Sequence, residues 1–253
     1  GLGVRGSVTA WPLSLWPHSP RTKTDDVAKW PGRSVRSLDG LWDFGFFSPA
    51  ASAPWDAPQA RFDTSMAVPA SIDTLKPYAS RRGVAIYRRQ ISLPAADAGS
   101  AARLHFAGCS VHCRVFLDGQ EIGQHCGSYS EWWLDVAPMA PAAVAAASSA
   151  TGQVTRSLVV AATTTFNYTA CELVRGGEGF FLFSGITRSV AWHTLPRQSP
   201  VYIDRLEVTP LSLDTIAAVL FVNATRKPAV ANVAAPLPKE FAIALAFDGL
   251  PLG

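Results

Sequence analysis

Residues 111–122 read VHCRVFLDGQEI, and this stretch decides the fold. Two runs rich in apolar residues flank the dipeptide Asp118-Gly119, which tolerates the positive φ angles of a type I′ turn. The stretch therefore predicts an antiparallel hairpin with a two-residue turn. Counting outward from that turn places Val115 opposite Ile122. Side chains alternate between the two faces of a strand, and the face expected to point inward carries Val111, Cys113, Val115 and Leu117.

Short apolar runs separated by Gly, Pro, Asp and Ser continue from Val35 onward, which is typical of an all-β sandwich or barrel. Strands are expected at 41–47, 85–93, 103–106, 111–117, 120–125 and 158–163. Helix is expected to be scarce. The sequence therefore predicts an all-β fold built around an antiparallel jelly-roll β-sandwich.

Three parts of the chain differ in character. Residues 1–34 hold three tryptophans and no consistent period, which predicts an extended N-terminal arm. Residues 35–198 hold the strands of the jelly roll. Residues 199–253 alternate again, most strictly at 241–247, and predict the start of an immunoglobulin-like β-sandwich. Such a domain needs about seven strands in about 100 residues, so this one is expected to be incomplete. A partner chain or further sequence would then cover its apolar face.

The composition is that of a packed globular protein, because 48% of the 253 residues are hydrophobic and 16% are charged. The net charge of +3 comes from 22 basic and 19 acidic residues spread along the chain. No basic stripe for nucleic acid is therefore expected. No apolar run reaches the roughly eighteen residues of a membrane span. The best candidate, 137–150, is too short and contains Pro138 and Pro141.

The cysteines raise the question of a metal site. The chain contains Cys109, Cys113, Cys126 and Cys171, too few for a disulfide scaffold. Three of them lie near histidines, namely His105, His112 and His125. On an extended strand, however, Cys109 and Cys113 would lie about 13 Å apart, too far for one zinc ion. Cys113 and Cys126 lie diagonally on paired strands, so a disulfide between them would need a bulge. We therefore expect no metal and no cofactor, and interpret the cysteines as small buried hydrophobic residues.

Two asparagines lie in glycosylation sequons, Asn167 in Asn-Tyr-Thr and Asn223 in Asn-Ala-Thr. Modified sequons would indicate a secreted or lysosomal protein. The alternative is that both asparagines are unmodified. Lysosomal or secreted localisation is the expectation.

Six short motifs occur in one order along the chain. One motif comprises His125, Gly127, Tyr129, Asp135 and Val136. A second comprises Phe180, Phe181, Gly185, Ile186, Arg188, Ser189 and Val190. Four shorter ones lie upstream, at 15–17, 38–44, 68–71 and 86–89.

Together these motifs resemble the sugar-binding domain of glycoside hydrolase family 2, most closely the β-glucuronidases. Sequences of that family carry His-x-Gly-Gly-Tyr, then Asp-Val, and later Phe-Phe-Asn-Tyr-Ala-Gly-Ile-x-Arg-Ser-Val. The resemblance implies a galactose-binding-like jelly roll followed by an immunoglobulin-like sandwich, a β-glycoside as ligand, and a catalytic barrel outside residues 1–253. The family's catalytic residues are barrel glutamates, so no catalytic residue is assigned to this chain.

The resemblance also implies a sugar-binding loop made of Glu178, Gly179, Phe180 and Phe181. In the family an Asp directly before the first Phe contacts the substrate, but here Gly179 occupies that position. Glu178 could supply the carboxylate instead if the flexible pair before it lets the loop turn. The alternative is that Glu178 is a solvated loop residue.

Aromatic pairs offer a second way to contact sugar. Trp132-Trp133 and Phe180-Phe181 could each stack on a sugar ring, but neighbours on a strand point to opposite faces, so at most one of each pair can do so. Core packing is the favoured interpretation. His125 is likewise interpreted as a hydrogen-bonded structural residue beneath the turn at Gly127.

Three functions follow. The chain is expected to be the N-terminal, non-catalytic region of a β-glucuronidase-like glycoside hydrolase, inactive as this fragment. The alternatives are a non-catalytic carbohydrate-binding module and a structural or assembly subunit that kept the family fold. The expected partners are a β-glycoside and either the missing barrel or a partner chain, and a homo-oligomer is a further option.

Overall fold

The computed structural model describes residues 2–9, 33–48, 62–79, 81–110, 112–164, 183–196, 201–212, 215–224, 246–247 and 250–251. The chain divides into two compact units. One is Arg33–Thr194, and the other combines Gly1–Gly32 with Leu195–Gly253. The predicted division into arm, jelly roll and second sandwich stays a prediction.

Strands dominate both units, and they are numbered in chain order. The first unit contains β2 (Ser34–Ser37), β3 (Gly40–Phe47), β4 (Thr64–Val68), β5 (Val84–Pro94), β6 (Ala102–Phe106), β7 (His112–Leu117), β8 (Gln120–Cys126), β9 (Trp132–Val136), β10 (Gln153–Thr163) and β11 (Val190–Thr194). Its helical elements are a 3₁₀ turn (Ile72–Thr74), α1 (Ala95–Ala98) and α2 (Pro141–Ala147). The second unit contains β1 (Leu2–Thr9), β12 (Val201–Pro210), β13 (Thr215–Ala224), β14 (Ala246–Phe247) and β15 (Leu250–Pro251). The all-β prediction is confirmed.

Two antiparallel sheets form the first unit. A six-stranded sheet has the order β4-β3-β5-β10-β7-β8, and a four-stranded sheet has the order β2-β11-β6-β9. Side chains from both sheets meet in one apolar core, whose largest members are Trp42, Trp192, Tyr87, Phe44 and Phe106. Burying each such side chain stabilises the fold by about 1.5–3 kcal/mol. The predicted jelly-roll sandwich is therefore confirmed.

The predicted hairpin is present with one correction to its register. Asp118 and Gly119 have φ angles of 51° and 83°, as a type I′ turn requires. A bulge next to the turn then shifts the pairing, so Val115 lies opposite Gly123, and the predicted pairing with Ile122 is wrong. The shift brings Gly123 under the core residue Leu134, whose Cδ2 would lie 2.5 Å from an added Cβ. The bulge therefore places a residue without a side chain where Leu134 needs space.

The inner face of β7 was predicted correctly for its described members, because Cys113, Val115 and Leu117 are buried. Val111 lies outside the described residues. The cysteines were interpreted as small buried hydrophobic residues, and the disulfide at two of them was not predicted. Cys109 and Cys113 are buried but form a disulfide, with Cα atoms 6.4 Å apart. The chain turns between β6 and β7 instead of staying extended, which halves the expected separation.

Cys126, at the end of β8, is also disulfide-bonded. Its partner lies outside the described residues. No described group of three or more His, Cys, Asp or Glu side chains is arranged to hold a metal ion.

The second unit contains a three-stranded antiparallel sheet with the order β1-β13-β12. Residues 2–9 form β1, which pairs with β13 along the length of β1. Leu206 pairs with Leu220 and Val208 with Ala218, so apolar residues share one face. Leu206 and Val208 are half-exposed there. The predicted strand 241–247 lies outside the described residues except for β14.

No helix that the structure describes is both long and apolar enough to cross a bilayer.

Candidate functional site

The predicted sugar-binding residues Glu178, Gly179, Phe180 and Phe181 lie outside the described residues, as does Asn167. Their roles stay predictions. Asn223 lies in β13 opposite Tyr202, and its glycosylation is also untested. The described chain resumes at Phe183, directly after the predicted loop, so the site is built from the segment that follows.

Residues 184–190, here called the anchor segment, hold the second half of the Phe-Phe motif. One side of the anchor segment pairs with the chain that leads into the 3₁₀ turn. The Ala70 N–H donates to the Ile186 carbonyl at 3.0 Å, and the Ile72 N–H donates to the Ser184 carbonyl at 3.1 Å. Ala70 belongs to the motif at 68–71.

The other side of the anchor segment pairs with the turn that carries the disulfide. Ser110 and Gly185 exchange two backbone hydrogen bonds of 2.9 and 3.0 Å. The Arg188 N–H donates to the Gly108 carbonyl at 3.2 Å. The Cys109–Cys113 disulfide closes the same turn, so it braces the chain against which the anchor segment lies.

Carboxylates hold both ends of the anchor segment. Asp73 Oδ2 accepts a hydrogen bond from the Ser184 N–H at 2.7 Å. Asp39 Oδ1 accepts one from the Val190 N–H at 3.0 Å. Hydrogen bonds to an ionised group are stronger than neutral ones, so these two fix where the segment begins and ends. Asp39 lies in the motif at 38–44, whereas Asp73 was not identified from the sequence, although it follows the motif at 68–71 by two residues.

Gly185 is required for two reasons. Its φ angle of +98° is one that L side chains rarely adopt, and a Cβ there would lie 2.4 Å from the Tyr87 hydroxyl oxygen. Burial raises the pKa of Tyr87 far above its ordinary value, and its hydroxyl has no hydrogen-bond partner among the described residues. Tyr87, from the motif at 86–89, therefore stays a neutral phenol beneath the anchor segment.

Arg188 connects the anchor segment to the His125 motif. Its guanidinium Nη1 donates to the Tyr129 carbonyl at 3.2 Å. Gly108 lies under its aliphatic stem, since an added Cβ would be 3.0 Å from Arg188 Cδ. The Arg188 side chain is thus held at both its stem and its head.

His125 supports the turn of the same motif. Its ring stacks on Trp132, with centroids 4.9 Å apart and an angle of 12° between planes. Its Nε2 lies 3.4 Å from Ser130 Oγ. Burial, and then the charge of His112, lower its pKa. Gly127 has a φ of +136° and approaches the ring closely. This geometry agrees with the interpretation of His125 as a structural residue.

The two neighbouring tryptophans separate as alternation requires. Trp132 is buried and stacks on Phe106 with centroids 4.4 Å apart. Trp133 points to the opposite face of the sheet and is partly exposed. Core packing therefore holds for Trp132 alone.

Four of the six sequence motifs lie in the described residues, together with residues 185–190 of the Phe-Phe motif, and all four contact the anchor segment. The motif at 15–17 lies outside the described part of the chain. The first unit is thus an antiparallel jelly-roll β-sandwich whose motifs, scattered over the sequence, gather at the segment that follows the predicted sugar-binding loop.

Solved structures share this fold. The chain matches a β-glucuronidase from Ruminococcus gnavus with a TM-score of 0.59 and 23% identity over 78% of this chain and 35% of that one. It matches a Lactobacillus rhamnosus β-glucuronidase with a TM-score of 0.57 and 24% identity, over 76% of this chain and 34% of that one. A GH2 β-galacturonidase from Eisenbergiella tayi matches with a TM-score of 0.56 and 20% identity, over 76% of this chain and 30% of that one.

Among curated proteins, one from Formosa agariphila with the provisional name beta-glucuronidase is 22% identical over 130 residues, which are 51% of this chain and 14% of that protein. No family model matches the sequence. The chain spans about a third of the length of the solved structures that it matches. The resemblance to glycoside hydrolase family 2 is confirmed at the level of the fold.

Proposed function

We propose that this chain is the N-terminal, non-catalytic region of a β-glucuronidase-like glycoside hydrolase. The observation that carries the proposal is the gathering of four motifs around the anchor segment, on a fold shared with β-glucuronidases. In this proposal the domain holds the predicted sugar-binding loop in place for a catalytic barrel that residues 1–253 do not contain.

The anchoring of both ends of segment 165–182 supports this role. At one end, the Gly83 N–H donates to Thr164 Oγ1 at 2.9 Å, and the Thr164 N–H donates to the Gly83 carbonyl at 2.9 Å. At the other end, Asp73 holds Ser184. Arg82 lies 3.5 Å from Asp73 and next to Gly83 in sequence, so the two attachments are linked.

Glu178 is the proposed sugar contact within that segment. Its carboxylate would accept hydrogen bonds from sugar hydroxyls, in place of the Asp that the family has at the position of Gly179. Hydrolysis itself needs two carboxyl groups facing the glycosidic bond. In the family these lie on a barrel of about 250 residues, so residues 1–253 alone should not hydrolyse glycosides.

The second unit supplies the proposed partner surface. Leu206 and Val208 are half-exposed on one face of β12, next to the more exposed Leu211. Apolar side chains in such a row favour coverage by another protein surface. We propose that further sequence or a partner chain, including a second copy of this chain, covers them.

Disulfides support a secreted or lysosomal location. Cys109 and Cys113 are bonded to each other, and Cys126 is also disulfide-bonded. Disulfides persist mainly in oxidising compartments. The sequons at Asn167 and Asn223 are consistent with the same route, and a glycan on either asparagine in protein from its native source would test it.

The decisive experiment extends the reading frame. A longer protein with a barrel and two catalytic glutamates should hydrolyse aryl β-glucuronides, while residues 1–253 should show no turnover. A natural stop after Gly253, with glycan retention by the chain alone, would instead support a carbohydrate-binding module. Neither turnover nor retention would support a structural subunit.

A further inference from the structure

Trp133 lies on the outer face of the four-stranded sheet. Its neighbours Trp132 and Leu134 point toward the core, whereas Trp133 points away and is 37% exposed. The proposed glycosidase role makes no use of this side chain. Its surroundings, however, are more organised than those of an isolated surface residue.

The indole lies across strand β6. Trp133 is on β9, yet its ring centroid is only 4.8 Å from that of His193 on β11. Because β6 lies between these strands, their backbones are roughly 10 Å apart. The indole therefore reaches over β6, where it stacks on His105 with centroids 4.0 Å apart and 17° between planes. One ring face packs on His105, the Arg103 guanidinium also lies over the ring, and 37% of the residue stays exposed.

Three side chains hold the indole in this orientation. His105 supports its face, His193 meets it at 68°, and the Arg103 guanidinium carbon lies 5.1 Å from the ring centroid. A ring fixed in advance loses little conformational entropy when a ligand stacks on it.

Two carboxylates flank Trp133 in the sequence, Glu131 just before β9 and Asp135 within it. Glu131 is 67% exposed and pairs with His105 at 3.1 Å, and Asp135 is 57% exposed and pairs with Arg103 at 3.1 Å. Their partners are far less exposed, 19% for His105 and 21% for Arg103. The charge that a ligand meets is therefore mainly negative, and the accessible polar atoms are hydrogen-bond acceptors.

We propose that Trp133, Glu131 and Asp135 form a binding platform for neutral pyranose units of a glycan. A pyranose presents a C–H face that packs on the exposed part of the indole, and hydroxyl groups that donate to the two carboxylates. An anionic sugar such as a uronate would be repelled by the same carboxylates. The platform does not depend on the proposed glycosidase role.

Affinity electrophoresis of residues 1–253 tests the platform. Gels containing barley β-glucan or galactomannan should retard the wild-type chain, and gels containing polygalacturonate should not. Trp133→Ala and Trp133→Leu should each weaken binding about tenfold or more, because Leu keeps apolar area without an aromatic face. Trp133→Tyr should stay within about threefold of the wild type for the same reason.

Leu41→Ala is the matched control, because Leu41 is 68% exposed on the six-stranded sheet and takes no part in the platform. It should bind like the wild type. Glu178→Ala is compared in the same gels, because it reports binding through the predicted sugar-binding loop instead of the platform. Thermal unfolding of each variant confirms that it is folded.

Several outcomes would overturn the platform. They are no retardation of the wild-type chain by either neutral glycan, unchanged retardation of Trp133→Leu, or stronger retention by polygalacturonate. Loss of neutral-glycan binding in Glu178→Ala would assign the binding to the predicted sugar-binding loop instead. A change in oligomeric mass on Trp133→Ala, measured by light scattering, would show that the face is a protein interface instead.

Discussion

Replacing Gly185 by Ala tests whether the anchor segment is built as described. The added Cβ would lie 2.4 Å from the Tyr87 hydroxyl oxygen, and the backbone would keep a φ of +98°. Backbone strain of this kind costs about 1–3 kcal/mol, and overpacking a buried site adds about 1–3 kcal/mol. Gly185→Ala should therefore lower the free energy of unfolding by about 2–6 kcal/mol.

Gly152→Ala provides the matched control. Gly152 also has a positive φ, +69°, but nothing lies within 4 Å of an added Cβ. It should show the backbone cost alone, about 1–2 kcal/mol. The difference between the two variants then measures the contact with Tyr87.

Adding Tyr87→Phe to Gly185→Ala should restore the stability that is lost to the steric clash. Without the hydroxyl oxygen, the nearest atoms to the added Cβ are Ile72 Cγ2 at 3.4 Å and the ring carbon Cζ at 3.6 Å, both ordinary contacts. A double-mutant cycle by urea denaturation should give a coupling of about 1–3 kcal/mol in favour of the pair. Equal costs for Gly185→Ala and Gly152→Ala, or no coupling with Tyr87→Phe, would refute the proposed packing.

Three further predictions concern other sites. Burial, followed by His105 and Arg103, lowers the pKa of His193 from 6.5 to about 4. Below pH 6.5 the unfolded chain therefore binds a proton that the folded chain does not, and stability should fall by about 1–2 kcal/mol between pH 6.5 and 4, after allowance for the partly exposed ring. Urea denaturation at several pH values should show a smaller fall in His193→Gln. Cys113→Ser opens a four-residue loop and should lower the free energy of unfolding by about 2 kcal/mol, measured by the same method. Glu178→Ala in a longer, active enzyme should lower kcat/KM about ten- to a hundredfold, measured on an aryl β-glucuronide.

Each of these predictions has a contradicting result. An unchanged pH dependence in His193→Gln would assign the effect to other groups. For Cys113→Ser, equal stability of the variant and the wild-type chain, both in non-reducing buffer, would refute the bracing role of the disulfide. Unchanged kinetics in Glu178→Ala would make Glu178 a solvated loop residue.

Local signals in the sequence were sufficient for the hairpin and for six strands of the first unit, but β2, β4, β9 and β11 were not predicted. Asp118-Gly119 specifies its turn through backbone preference alone, and alternation separates Trp132 from Trp133. The bulge next to the Val115–Gly123 pair could not be predicted, because it depends on packing against Leu134, which lies on the other sheet. Register near a turn depends on such distant packing as well as on turn type.

The candidate site shows the same limit. The motifs were visible one by one, but Asp39 and Asp73 act through backbone N–H groups that are more than a hundred residues away. Nothing in local sequence specifies such a partner. The Cys109–Cys113 disulfide was missed because a strand was assumed where the chain turns, and Trp133 became informative only when its neighbours on β6 and β11 were known.

Because Thr164 and Ser184 are both held by the sandwich, the sequence between them can be exchanged without changing these attachments. Among the described residues, the hydrogen bonds that fix these attachments come from Gly83 and Asp73, both outside the stretch. The entropy of closing a flexible loop grows only with the logarithm of its length, about 0.6 kcal/mol for each doubling. Insertions, deletions and grafted sequences can therefore change the residues that contact a ligand at this edge, while the sandwich keeps its structure.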